Sequence, residues 1–267
     1  MSPPSPSDAA SQAAAGAPRP VVLVTGAARR LGRAVALHLA QAGWDVAVHF
    51  HRSADEAQRT CEELRACGAR AAAFRADLHD DAQVRALLPQ VAQAFGQVDA
   101  LVNHASMLEH DTAGLLDSDR ALQHWRVNTV APVLLAQALH AHLCAREARG
   151  CAVNLLDPKP RSPNPDHLSC TLSRAALREA NALLAQALAP VLRVVAVSGV
   201  FAPGSPAIDA QRLHALQAPL PPGEARRVAA IADAVLFALR NRALTACELP
   251  VEAGRHPQPG ARDFAFD

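Results

Sequence analysis

The segment Val21-Val22-Leu23-Val24-Thr25-Gly26-Ala27-Ala28-Arg29-Arg30-Leu31-Gly32 leaves the chain few choices of fold. Val21 to Val24 form a short apolar, β-branched run, the pattern of a parallel strand covered on both faces. Gly26 and Gly32 permit a tight turn and a close backbone approach that a Cβ would obstruct. The helix that follows aims its unsatisfied N–H groups, and the positive end of its dipole, at whatever lies over the turn. A phosphate suits that position, although an ordinary strand-to-helix turn would also carry two spaced glycines.

The rest of the chain repeats the alternation. Apolar periodicity predicts helices over 30–42, 54–67, 81–95, 119–148, 168–189 and 228–240, with a short helical piece near 208–217. Strands are expected at 45–50, 70–75, 99–103, 151–155, 192–197 and 247–251. Gly43, Gly68 and Gly96 each follow a helix, as C-terminal glycines do. Strands alternating with helices imply a parallel sheet with helices on both faces, an α/β doubly wound architecture in a single domain spanning 21–254. The Pro/Ser/Ala-rich residues 1–20 read as a disordered tail and 255–267 as a polar C-terminal tail.

Charge excludes some functions. With 26 basic and 25 acidic side chains there is no basic field for nucleic acid, and His140 and His142 interrupt the longest apolar run, so no membrane span is expected. The six cysteines are scattered without a Cys-x-x-Cys pair, which fits reduced thiols. Residues 1–20 lack the basic and apolar regions of a secretory signal, and a cytoplasmic protein is expected. No cluster has metal-ligand spacing.

The end of the second strand is informative. In a dinucleotide fold an acid there binds the ribose 2′-hydroxyl of NAD, whereas arginine accommodates the 2′-phosphate of NADP. This chain offers His51, Arg52 and Ser53, with Arg30 arriving from the first turn. A guanidinium beside a hydroxyl is good phosphate chemistry, so NADPH is expected rather than NADH. Arg52 as a solvated charge leading a helix is the plainer alternative.

Thr25-Gly26-x-x-x-Arg30-x-Gly32, His51-Arg52-Ser53, Asp77-Leu78, Asn103-x-Ala105-Ser106 and Asn128 together resemble the short-chain dehydrogenase/reductase family. Arg30 and the His-Arg-Ser element are similar more narrowly to the pteridine reductases. The resemblance runs over most of 21–254 and implies a Rossmann-type fold. It implies that Asp77 bonds the adenine amino group beside Leu78, and that Leu31 belongs to the phosphate turn. It also implies that Asn103, Ala105 and Ser106 line the nicotinamide ribose, and that Asn128 holds a kink in the long helix. Without the family, Asp77 reads as a cap of helix 81–95 or its turn, and Asn128 as a polar helix residue. A homodimer or homotetramer is the implied assembly.

The family transfers a hydride between nicotinamide and a C=O or C=N bond, with a tyrosine handling the proton and a lysine four residues later assisting it. This chain contains no tyrosine. Counted from Asp157, which matches the acid of the pteridine reductases, the expected pair falls on Cys170 and Arg174. A thiol is a stronger acid than a phenol, with a reference pKa of about 8.5 against about 10, and Arg174 would strengthen it. It is also shorter, and arginine keeps the ribose-binding charge without relaying a proton. Losing a positioned acid costs about 10²–10⁴-fold. Asp157, if burial raised its pKa, and His167, one helical turn before Cys170 if already helical, are the candidate substitutes. A lone histidine at a helix start is more often structural, and Cys170 reads equally as a small filler. The family's Pro-Gly falls on Gly199-Val200, with Pro203-Gly204 displaced, and its stacking aromatic appears as Met107-Leu108, with Phe201 a speculative replacement.

The expected function is that of an NADPH-dependent short-chain reductase, pteridine or dihydrofolate reductase-like, acting on a small pterin-like or carbonyl compound. The alternative is a non-catalytic NADPH-binding sensor or partner subunit.

Overall fold

The computed structural model describes residues 18–156, 165–199 and 227–251. Its strands are β1 (Val21–Val24), β2 (Asp45–Phe50), β3 (Ala71–Arg75), β4 (Ala100–Asn103), β5 (Gly150–Leu156), β6 (Leu192–Gly199) and β7 (Glu248–Val251). The helices are α1 (Arg30–Gln41), α2 (Ala54–Ala66), α3 (Asp81–Phe95), α4 (Ser118–Trp125), α5 (Ala131–Ala145), α6 (Leu168–Ala187) and α7 (Arg227–Arg240). One wide-pitched turn, Arg126–Val130, joins α4 to α5.

The seven strands form one sheet in the order β3-β2-β1-β4-β5-β6-β7, with parallel pairing throughout. This is the expected doubly wound, Rossmann-type sheet. Alternation along each strand sorts side chains onto two faces. Val22 and Val24 pack with Val35 and Leu39 of α1, Leu64 of α2 and Val235 of α7. Val21 and Leu23 pack with Leu87 and Val91 of α3 and Leu135 and Leu139 of α5. All four β1 residues are at most 1% exposed, as a central strand covered on both faces must be.

Most element bounds fall within a few residues of expectation, and Gly43, Gly68 and Gly96 all adopt positive φ after their helices. The stretch expected as one helix over 119–148 departs more. It ends at Ala145 and is interrupted by the wide turn at 126–130. The expectation about apolar runs also needs correction. Ser118–Ala145 is long and apolar enough, by length and composition alone, to cross a membrane. Its buried Leu134, Leu135, Leu139 and Leu143 belong to the core beneath the sheet. The helical piece near 208–217, residues 1–17 of the N-terminal tail, the C-terminal tail, and Asp157, Val200, Phe201, Pro203 and Gly204 lie outside the described residues, whereas Arg19 and Pro20, expected in the tail, bond to the body of the fold.

Crossovers run outward from β1 on one side and from β4 on the other, so the strand order reverses between them. Ligands of open α/β sheets bind at the carboxyl ends of the strands at such a switch point.

Candidate functional site

Three segments converge at the carboxyl end of β1. Thr25 follows the strand and ties it to the segment after β4: its Oγ1 accepts from the backbone N–H of His104 at 2.9 Å and of Ala105 at 3.0 Å. Gly26 turns the chain at φ +66°, and a Cβ there would stand 3.1 Å from the Ala105 Cα. Gly32 lets α1 close down on the turn; a Cβ on it would meet the Gly26 carbonyl oxygen at 2.3 Å. Arg30 also sits at positive φ, +53°, and Arg29 and Arg30 are exposed. The first turn of α1 contains no acidic side chain. Gly32 and Ala105 thus close on the Gly26 turn, Leu31 precedes Gly32 in α1, and Ser106, the residue after Ala105, is exposed.

Two histidines complete this corner. The Gly26 N–H donates to Nδ1 of His49 on β2 at 3.1 Å, and His49 Nε2 lies 3.1 Å from the Ala76 carbonyl oxygen after β3. Burial pushes the His49 pKa down to about 4, partly offset by that Ala76 bond and furthered by nearby His51. On the other side, His104 Nδ1 lies 3.3 Å from the Thr25 carbonyl oxygen. Burial and the Arg174 charge push its pKa down to about 4, against the Thr25 and Gly26 backbone bonds. Neither residue stood out in the sequence. The signal for His49 was present, because the inward side of Val46-x-Val48 and the outward side of Ala47-x-His49 are both buried in a central strand.

Asn103 is buried and gives its amide N–H to Asn154, its ladder partner on β5, at 2.9 Å. Asn154 passes the chain on to Asn181 of α6 at 3.2 Å. Among the described residues the Asn103 Oδ1 has no hydrogen-bond partner.

At the end of β2, Arg52 is exposed and Ser53 is the N-cap residue of α2, its hydroxyl making no cap bond. His51 Nε2 lies 3.5 Å from Asp77 Oδ2. Asp77 Oδ1 accepts from the His79 N–H at 3.0 Å and faces the His79 ring Nδ1 at 2.9 Å. Partial burial would raise the Asp77 pKa, but the His79 bonds and the charge of His51 hold its carboxyl below the usual carboxylate value. Asp80, not Asp77, caps α3, accepting from the Ala82 and Gln83 N–H groups. Leu78 is buried beside them.

The opposite wall rests on Asn128, fully buried in the 126–130 turn. Its Oδ1 accepts from the Met107 N–H at 2.8 Å, and its Nδ2 donates to the Met107 carbonyl at 3.0 Å and to Ser173 Oγ at 3.0 Å. The same Nδ2 lies 3.9 Å from Cys170 Sγ. Cys170, Ser173 and Arg174 share α6, and Ser173 Oγ donates to the Cys170 carbonyl at 2.8 Å. Arg174 Nη1 donates to the Leu155 carbonyl at 2.7 Å, and its buried Nε has no partner among the described residues. Asn128, Cys170 and Arg174 therefore come together, whereas Asp157 lies outside the described residues.

His167 departs from the helical placement that would align it with Cys170. It precedes α6 at φ +57° as its N-cap residue. Its Nδ1 pairs with the Glu109 carbonyl at 3.1 Å, and its ring meets His110 edge-on at 5.3 Å between centroids. The side chain that anchors the start of α6 is Asp111, which accepts from the Ser169 N–H at 3.1 Å and from its hydroxyl. Leu108, where a stacking aromatic was expected, is 53% exposed.

Comparison with known proteins agrees with this geometry. The model of the short chain dehydrogenase family matches residues 20–208. FolM alternative dihydrofolate reductase 1 from Brucella canis, solved with NADP, superposes with a TM-score of 0.80 at 34% identity, covering 89% of this chain and 94% of that one. Its Brucella suis counterpart, also with NADP, gives 0.75 at 32% identity, over 89% and 95% of the two chains. The 3-oxoacyl-[acyl-carrier-protein] reductase FabG of Staphylococcus epidermidis is 30% identical over 57% of this chain and 62% of its own length. FabG of Staphylococcus aureus matches at 41%, over 32% of this chain and 35% of its length, so the chain aligns with less than two thirds of either FabG. The parallel sheet, the Gly26–Gly32 turn and the matched span together place the chain in the short-chain dehydrogenase family.

Proposed function

We propose that the chain is an NADPH-dependent short-chain reductase of the pteridine or dihydrofolate reductase type, acting on a small C=N or C=O compound. The observation that carries the reading is the donor set around the carboxyl ends of β1, β2 and β3. Arg30 after β1 and Arg52 after β2 are both exposed, the Ser53 hydroxyl is uncommitted to capping, and residues 49–53 include no acid. Those groups suit a ribose 2′-phosphate. The half-buried Asp77, with Oδ1 held by His79, suits an amino group of adenine. The open first turn of α1 suits the pyrophosphate. The NADP-bound FolM neighbours support the same cofactor.

NADPH, when bound, supplies the hydride. The chain must then manage one proton without a tyrosine. Cys170 is the described acid nearest Asn128, and the Asn128 amide orders the thiol, the Ser173 hydroxyl and the Met107 backbone together. Arg174 places its charge at the carboxyl end of β5. A dihydropterin C=N is more basic than a ketone and tolerates a weaker acid, which favours it over carbonyl substrates.

A second reading, an NADPH-binding protein without turnover, is favoured by one observation: the Arg174 guanidinium is engaged by the Leu155 carbonyl. Calorimetry with NADPH and NADH, followed by NADPH oxidation with dihydropterin, dihydrofolate and quinone, separates the two. The reductase reading expects tighter NADPH binding and turnover on a C=N substrate. Binding without turnover establishes the second reading, and absence of NADPH binding defeats both. Cys170→Tyr combined with Arg174→Lys is expected to raise carbonyl reduction by about 10²-fold or more; an unchanged rate would contradict the placement of these residues at the reacting centre.

A further inference from the structure

We infer that His49 and His104 are a pair of positioning residues that clamp the Gly26 turn from both sides, as neutral rings of opposite tautomer. The inference deepens the cofactor reading above and rests on it.

The hydrogen-bond partners assign the protons. The Gly26 N–H can only donate, so His49 Nδ1 must accept and carry no proton. The proton of His49 is then on Nε2, where the Ala76 carbonyl receives it at 3.1 Å. His104 is the mirror case. Its Nδ1 faces the Thr25 carbonyl at 3.3 Å, and a carbonyl can only accept, so Nδ1 carries the proton. One imidazole takes the N–H of the turn and the other supplies a donor to its carbonyl side. Protonating His49 would set an N–H against the Gly26 N–H and abolish that arm. Burial of both rings keeps them neutral.

The clamp also joins two half-sites. His49 reaches from the Gly26 turn to Ala76, the residue immediately before Asp77 and Leu78. Backbone bonds run alongside it, from Ala27 N–H to the His49 carbonyl at 3.0 Å and from Ala76 N–H to the Phe50 carbonyl at 3.1 Å. The imidazole therefore fixes the separation between the phosphate turn and the carboxylate offered to adenine. A dinucleotide spanning both senses that separation. A ligand confined to one side does not.

The test compares NADPH with adenosine 2′,5′-bisphosphate, which lacks the pyrophosphate bridge, by calorimetry on wild type, His49→Phe and His49→Asn. His49→Phe removes both arms, whereas the Asn amide oxygen can still accept from Gly26. The clamp expects NADPH affinity to fall at least about tenfold in His49→Phe, bisphosphate affinity to fall less than about threefold, and His49→Asn to recover part of the difference. Equal losses for both ligands, or none, overturn it. If wild type binds neither ligand, the cofactor reading fails and the clamp with it. Nitrogen-15 NMR of wild-type histidines needs no variant and no ligand. The assigned signals should show His49 as the Nε2–H ring and His104 as the Nδ1–H ring, both still neutral at pH 5.5, and the same tautomer at both positions would refute the assignment.

Discussion

Gly32 is where a single atom decides the corner at the carboxyl end of β1. Its missing Cβ is what allows α1 to start 2.3 Å, in hypothetical Cβ terms, from the Gly26 carbonyl oxygen, and that oxygen is backbone with nowhere to go. Gly32→Ala must push the helix off the turn. Overpacking of this kind costs about 1–3 kcal/mol, and the displaced turn should weaken NADPH binding more than about tenfold. Gly114→Ala is the control, because a Cβ there meets nothing within 4 Å. Thermal melts and calorimetry on the two variants check this: equal behaviour would mean that the close approach of α1 does not shape the site. Arg30 shows the converse at φ +53°, a side chain kept in the left-handed region where glycine is easier. Arg30→Gly should keep the turn and lose preference for NADPH over NADH.

Among the elements, the 126–130 turn does the most for the substrate side. Helical bonding widens there, and Asn128 projects from it to hold both the N–H and the carbonyl of Met107. Asn128→Ala leaves two part-buried backbone groups without that partner, at up to about 1–3 kcal/mol each. Urea unfolding should register that loss, and amide exchange at Met107 should accelerate well beyond the global change; unchanged exchange would show that the loop does not depend on Asn128. The strands and helices were legible because buried Val-rich runs and 3.6-residue periodicity survive any tertiary context. The Gly26–Gly32 turn was legible because glycine marks tight backbone directly. The break in the long helix was not visible in its periodicity, because Leu122 to Leu139 reads as continuous helix, and only the family resemblance flagged Asn128. The helix starts at Leu168, as its periodicity says, so the condition that would have turned His167 toward Cys170 is not met and His167 is the N-cap residue instead. The histidine clamp was missed because a polar ring in a strand shows nothing of the partners that neighbouring strands bring to it.

For the whole molecule, burying neutral histidines at the sheet's carboxyl edge ties stability to pH in a window of its own. His49 is held near pKa 4 in the fold, chiefly by burial, against 6.5 for an ordinary imidazole. Between those values the unfolded chain binds a proton that the native protein refuses, so stability rises with pH across the interval and is lost as pH falls from about 6.5 toward 4. His104 acts in the same direction over the same range, and His142, lowered by burial and by Arg146, adds to it. Asp77 and Asp80 titrate below their ordinary value, so their contributions disappear only at lower pH and do not mask the histidines. A shift of this size is worth about 3 kcal/mol for His49 alone once pH is well below the window. Urea midpoints measured from pH 7.5 to 4.5 should therefore decline steadily, and the decline should be shallower in His49→Phe, which has no proton to refuse. A wild-type profile that is flat down to pH 4.5, or a variant as steep as wild type, would mean that His49 does not stay neutral in the fold. The Gly26 N–H would then have lost its acceptor, because that bond exists only while the ring carries a single proton.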